Sequence, residues 1–253
     1  MKRRSIFYAR PIAPLAIPFF FSVVLMSQGL CRFPLLDAMP APCLVGTQND
    51  LDTILAKMDQ TAARYHSVEA KFSWTMYNSV VDEKESPETG RIFIERNGDQ
   101  VKMAADIEPP DEEQVVLSEG KIQVYKPRLA AVDVYDAGTH REEVETFLAL
   151  GFLSSGNEMR KSFDVKYEGL EKVENGIEAA KLDLTPKAEN VKNHVPEIIL
   201  WINPEDGTSV QQKLIETNGD YRLANYSNIQ LGKKISPNVF KLKTHGNATI
   251  TNH

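Results

Sequence analysis

The sequence predicts an α+β protein built on one strongly bent antiparallel sheet. Three observations carry this expectation. A single amphipathic helical segment opens the periodic part of the chain. Short stretches of alternating apolar and polar residues then follow at a spacing of about ten residues, punctuated by Gly, Pro, Asn and Asp. One helical excursion interrupts them midway. A sheet of this size has a concave face that must be filled or plugged.

The helix comes first. Asn49 or Asp50 is placed to cap it, and Leu51, Ile54, Leu55, Met58, Ala62 and Tyr65 recur at helical spacing. Asp52, Lys57, Asp59 and Arg64 fall on the other face, and the segment is expected to end near His66. The period then changes to two. Phe72, Trp74 and Met76 alternate with Lys71, Ser73 and Thr75. "GRIFIER", "DQVKMAAD", "EQVVLS", "KIQVYKP" and "LAAVDVYD" continue the series. The excursion is "HREEVETFLALGFLSSGNEMRKSF", with Val144, Phe147 and Leu148 at helical spacing, acidic residues in its first turn, and Gly151 as its stop. A second short helix is expected over 156–161. Strands resume with "FDVKYEGLEKV", "IEAAKLDLTP", "PEIILWINP", "TSVQQKLIET", "YRLANYSNIQ" and "NVFKLKT", separated by the turn signals "NPEDGT" and "TNGD". The segment 245–253 reads as a frayed polar tail.

The run Ile198-Ile199-Leu200-Trp201-Ile202 is apolar on both faces of its alternation. Two readings stand. It is a strand in an ordinary sandwich core, or one of its faces lines a cavity while the other packs under a helix or loop.

Ahead of the helix lies a three-part pattern: Lys2, Arg3, Arg4 and Arg10, then "PIAPLAIPFFFSVVLM", then the small residues Ser27 and Gly29. This is the pattern of a secretory signal peptide over 1–29, shorter than a membrane span and broken by Pro14 and Pro18. An uncleaved anchor is the competing reading. Residues 30–48 form an aperiodic leader. Removal of 1–29 takes away four basic and no acidic residues, so the formal charge moves from −6 to −10. An acidic mature chain argues against nucleic acid and against electrostatic binding to an anionic membrane. The two cysteines, Cys31 and Cys43, both precede the helix. A lipidated Cys31, a disulfide stapling only the leader, and two incidental thiols are the open readings.

Signs of catalysis are missing from the sequence. Gly120-Lys121 and Gly232-Lys233 lack the rest of a phosphate loop. The five histidines have no metal-ligand spacing, and there is no G-x-S-x-G. The acidic "PPDEE" cluster reads as a solvated loop, because nothing apolar adjoins it to shift a pKa. No cofactor is expected, and an enzyme is the least favoured class.

Taken in order, the segments over 51–242 resemble the periplasmic outer-membrane lipoprotein carrier family (LolA-like). The likeness rests on "YHSVEAKFSW" after the helix, "GRIFIERN", "PPDEEQVVLSEGKIQVYKP", "FLALGFL", "LDLTPKAE", "IILWINPEDG" and "TNGDYRLANYSNIQLGKKISPNVFKL". Two departures are visible. After Arg96 stands "NGDQVKM", where the family has a proline and an aromatic pair, and the leader is longer than usual. The resemblance implies a carrier domain over 49–244, folded as an incomplete barrel of about eleven antiparallel strands with helices over an apolar concave face. It implies a periplasmic monomer that holds the acyl chains of lipoproteins. An inner-membrane ATP-driven release complex would be the donor, and an outer-membrane receptor or the membrane itself the acceptor. Arg96 would gate the lid by hydrogen-bonding its backbone. Leu51, Ile54, Leu55, Met58, Val144, Phe147 and Leu148 would belong to the lid, and Trp74, Met76, Phe93 and Trp201 to the cavity wall. The same fold also serves as a lipid- or lipoprotein-sensing envelope-stress module and as a membrane-anchored lipoprotein receptor, which remain the alternatives.

Overall fold

The computed structural model describes residues 48–98, 100–136, 138, 150–174, 176–244 and 246–253. The proposed signal peptide, nearly all of the leader, both cysteines, and Val144, Phe147 and Leu148 lie outside the described residues.

Three α-helices are described: α1 (Gln48–Arg64), α2 (Gly156–Ser162) and the single turn α3 (Glu189–Lys192). Thirteen strands accompany them, against the eleven or so implied by resemblance. They are β1 (Ser67–Asn78), β2 (Glu83–Lys84), β3 (Glu88–Asn97), β4 (Gln100–Ile107), β5 (Glu113–Ser118), β6 (Lys121–Lys126) and β7 (Ala131–Asp136), followed by β8 (Phe163–Lys172), β9 (Glu178–Pro186), β10 (Glu197–Ile202), β11 (Ser209–Ile215), β12 (Tyr221–Leu231) and β13 (Thr249–Asn252).

All belong to one sheet with the order β13-β7-β6-β5-β4-β3-β1-β12-β11-β10-β9-β8, and β2 adds to β1. The terminal strands β13 and β8 do not pair with each other, so the sheet is open. Every ladder is antiparallel except β13 on β7. The segment expected to fray thus carries an edge strand. Its four exposed residues, with Ile250 the one large apolar side chain, carry too little alternation to be read from sequence.

Register decides which side chains share a face, because directly opposed residues point the same way. Leu200 opposes both Leu182 and Gln212, Gln212 opposes Ala224, Ala224 opposes Trp74, and Trp74 opposes Glu88. These positions define the face that bears α1. Leu51, Ile54, Leu55 and Met58 of α1 are buried there against Leu182, Leu184, Ile198, Leu200 and Ile202. The positions in between point to the other face. On it, Phe93 packs with Ala104, Val116, Ile235 and Phe240, where a 3-10 turn (Pro237–Phe240) crosses the sheet. Trp201 packs there with Val173, Ala179 and Val210.

The doubly apolar run is accounted for by this arrangement. Ile198, Leu200 and Ile202 lie beneath α1, while Trp201, with Ile199 beside it, sits in the small cluster on the far side. One face of the run therefore packs under a helix and the other against a small apolar cluster that includes Val173 and Ile177 of the β8–β9 connection.

Candidate apolar cavity and its latch

Helix α2 opens on a capping box. The Ser155 hydroxyl accepts from the Glu158 N–H at 3.1 Å, and the Glu158 carboxylate accepts from the Ser155 N–H at 3.0 Å. The reciprocal bonds satisfy two N–H groups that the helix start would leave orphaned. Gly156 is required just after it. A Cβ there would stand 2.6 Å from Leu55 Cβ and 2.8 Å from the Leu55 carbonyl oxygen, so α1 and α2 touch through backbone.

The segment Leu150-Gly151-Phe152-Leu153 precedes this helix and is fully inserted: its exposures run from 0 to 3 % for the three apolar side chains. Leu150 joins the α1 cluster, while Phe152 and Leu153 pack on Val68, Ala70, Ile94, Val101 and Leu117. Two hydrogen bonds tie its backbone to the sheet. The Ser209 N–H donates to the Gly151 carbonyl at 2.6 Å. Arg96 Nη1 donates to the Leu153 carbonyl at 2.7 Å. Gly151 has φ +84°, and a Cβ there would meet Ser209 at 2.7 Å, so only glycine seats this turn without strain.

Arg96 lies at the end of β3 and does more than hold Leu153. Its Nη1 also donates to Glu158 Oε2 at 2.8 Å, and its Nη2 pairs with Glu158 Oε1. The fork of a guanidinium matches a carboxylate in this two-point way. Burial alone would raise the Glu158 carboxyl. The hydrogen bonds from Arg96 and from the Ser155 N–H outweigh it and hold the group below its ordinary range.

Above Phe152, toward the β1 C-terminus, the same face is unfilled. A cavity of about 280 Å³ is walled by Phe72, Trp74, Ile92, Met103, Ala105, Ile107, Val115, Leu214, Ala224 and Tyr226, with Gln212 and Arg222 completing its lining. The Phe152 and Tyr226 rings meet edge-on with centroids 4.7 Å apart, so the inserted segment adjoins the cavity through the Tyr226 ring of its wall. The polar groups at its margin are neutralised. Tyr226 donates to Gln212 Oε1 at 3.0 Å, Trp74 Nε1 donates to Glu88, and Arg222 pairs with Glu216 at 3.3 Å. Burial pushes the Tyr226 phenol up. A largely apolar, partly open space whose one lining charge, Arg222, is paired with Glu216 suits hydrocarbon.

The residues singled out from sequence divide accordingly. Trp74 lines the cavity. Met76 stands one step farther along the same face, opposite Arg222, half-buried and outside the wall. Leu51, Ile54, Leu55 and Met58 are core beneath α1 and do not reach the cavity. Phe93 and Trp201 are on the opposite face, so neither lines it. Arg96 contacts the backbone of the inserted segment. Phe72, Ile92, Met103, Tyr226, Phe152 and Glu158 were not anticipated. For Glu158 a signal existed: "SGNE" is the S-x-x-E pattern of a capping box.

This architecture agrees with the relationships of the chain. The sequence profile of the family described as outer membrane lipoprotein carrier protein LolA matches residues 48–243. The chain belongs to the LolA family. The match ends before β13. No curated protein matches the chain. Among solved structures, an uncharacterized conserved protein from Thermus thermophilus is similar at TM-score 0.50 and 11 % identity, over 81 % of this chain and 99 % of that one. That likeness is one of fold alone. A LolA superfamily protein from Nitrosomonas europaea aligns at TM-score 0.37 and 11 % identity, over 76 % of this chain and 97 % of that one. The MucA/MucB complex of Pseudomonas aeruginosa aligns at TM-score 0.44 and 15 % identity, over 77 % of this chain and 61 % of the other, so this chain spans less than two thirds of that relative.

Proposed function

We propose that this LolA-family protein is a periplasmic carrier that holds the acyl chains of lipoproteins and moves them from the inner to the outer membrane. The observation that carries the reading is the join between cavity and latch. Phe152 packs on Tyr226 of the cavity wall, and the carbonyl of the next residue is held by Arg96.

The volumes support a moving lid. About 280 Å³ lies just below the usual ligand-pocket range of roughly 300–1,000 Å³. The cavity therefore has to grow to take a full chain, and withdrawal of Phe152 and Leu153 would extend it along β1, β3 and β4. Each buried CH₂ contributes about 0.8 kcal/mol, so a sixteen-carbon chain gains on the order of 10 kcal/mol gross. Opening a closed empty state offsets part of that gain and keeps the cargo releasable. In this reading Arg96 is the residue that stabilises the closed state. Phe93 and Trp201 have no part in the wall, and the wall residues are Phe72, Trp74, Ile92 and Met103. An inner-membrane ATP-driven release complex would load the carrier, and an outer-membrane receptor or the membrane would unload it.

Native mass spectrometry of the protein taken from its host's periplasm tests the reading. Adducts that organic extraction releases as acylated proteins or lipids are the expected result. A uniformly empty protein after gentle handling would overturn it. The same spectrum reports the amino-terminal mass, and so the fate of 1–29 and of Cys31. An Arg96→Leu protein that took up and released its cargo as the wild type does would sink the gating role while leaving the carrier reading standing.

A further inference from the structure

Two of the exposed apolar side chains among the described residues are adjacent. Val80 is 86 % and Val81 59 % exposed, at the tip of the hairpin that follows β1. Such tips ordinarily carry Gly, Asn, Asp or Ser. β-Branched valines have no local reason to be there, and their exposure has no folding benefit.

The tip is nevertheless held still. Asn78 Oδ1 accepts from the N–H groups of Val80 at 3.0 Å and Val81 at 3.4 Å. Tyr77 donates its phenol to Asp82 at 2.6 Å and stacks on Tyr221 with centroids 4.7 Å apart. The Ser79 N–H donates to Asp220 at 2.7 Å, and the Ser79 hydroxyl reaches the Asn218 carbonyl at 2.9 Å. Both flanks of the tip are thus fastened, one to its own strand and one to the neighbouring β11–β12 turn. An apolar pair on a rigid mount has the low ordering cost that recognition needs.

Its surroundings fix the chemistry of the partner. Segments 79–88 and 216–220 carry six carboxylates and one basic residue, Lys84. Asp82 follows the valines directly, and Glu83 and Glu85 lie within the next four residues of the chain. This ring would repel an anionic membrane and would complement a cationic protein surface. Position adds a reason: Tyr77 opposes Tyr221, and the next pair, Met76 and Arg222, brings the hairpin to the rim of the apolar cavity.

We infer that the Val80–Val81 tip, with its ring of carboxylates, is a docking point for a partner protein bearing an apolar pocket bordered by Lys and Arg side chains. The tip would seat in that pocket and hold the cavity mouth against the partner. The inference stands on the tip itself and does not require the cargo to be an acyl chain.

Photo-crosslinking in the living host tests it. A benzophenone side chain is placed at Val80, at Val81, and at the exposed control Lys192. Expected is a polypeptide adduct from Val80 or Val81 that is not formed from Lys192. It should be lost in a Glu83→Lys/Glu85→Lys background and at high salt, and sequencing should show a basic-rimmed apolar surface at the attachment point. Adducts to lipid alone, to a second copy of this chain, to a partner insensitive to charge reversal, or no adduct above the Lys192 control would each overturn it. Unchanged thermal melting of the variants shows that the fold is intact, as the exposure of all four side chains leads one to expect.

Discussion

Arg96 and Glu158 meet through both terminal guanidinium nitrogens and both carboxylate oxygens, across 62 residues of sequence. The pair fastens α2 to the end of β3, and the same Nη1 holds the Leu153 carbonyl. One side chain therefore contacts both α2 and the inserted segment beside the cavity.

Replacing Glu158 by Gln removes the charge but keeps the shape. Arg96 keeps the Leu153 carbonyl, so the segment should stay inserted, with a stability loss of about 1–2 kcal/mol, since hydrogen bonds to charged groups are worth more than neutral ones and partial exposure weakens the pair. Arg96→Leu removes both contacts and should cost more. Urea unfolding of the two variants reports the order. Equal losses would mean that the Leu153 contact contributes nothing.

The same pair makes stability depend on pH in a defined direction. The Glu158 carboxyl is held below its ordinary range in the folded state. The stabilisation from this group is therefore complete above the unfolded carboxyl pKa of about 4.3, and it is lost as pH falls through the lower folded value. Urea midpoints measured downward from neutral pH should drop in the acid range, and Glu158→Gln should flatten part of that drop. A variant with an unchanged acid slope would remove Glu158 from the account.

Tyr226 and Gln212 form a buried polar pair on the cavity wall. Tyr226→Phe leaves Gln212 Oε1 without that donor, and stability should fall by about 1–3 kcal/mol. The Phe side chain keeps the ring and its contact with Phe152, so the cavity itself should persist. Equilibrium unfolding measures the first effect, and uptake of a fluorescent fatty acid measures the second.

How far the sequence discloses this site depends on how many faces of an element are apolar. In β1 only one face is, and the alternation of Phe72, Trp74 and Met76 is legible by eye. In β3 the run Ile92-Phe93-Ile94 is apolar on both, and period two then says nothing about which side Phe93 takes. The same holds for Trp201 in the doubly apolar run 198–202. The α1 stripe is legible because 3.6-residue periodicity separates core from solvent, yet periodicity does not distinguish packing against a sheet from closing a cavity. Phe152 and Leu153 sit in an apolar stretch whose insertion is set by the remote anchors Ser209 and Arg96, with no local trace. The parallel edge strand β13 is short, exposed and polar, and its partner lies over a hundred residues away.

The α1–α2 contact offers the sharpest structural test. A Cβ on residue 156 would stand 2.8 Å from the Leu55 carbonyl oxygen and 2.6 Å from Leu55 Cβ, and backbone atoms there do not yield as a flexible side-chain end would. Gly156→Ala must therefore push α2 away from α1. Overpacking of this kind costs about 1–3 kcal/mol, and α2 carries Glu158 with it. The displacement should loosen the hold on Arg96 without touching the cavity wall. Expected are a lower urea midpoint and faster hydrogen exchange at the amides of Phe152 and Leu153, while the amides of β4 and β5 exchange as before. Exchange accelerated equally across the whole sheet would mean that α2 supports the fold globally and has no separate control of the inserted segment.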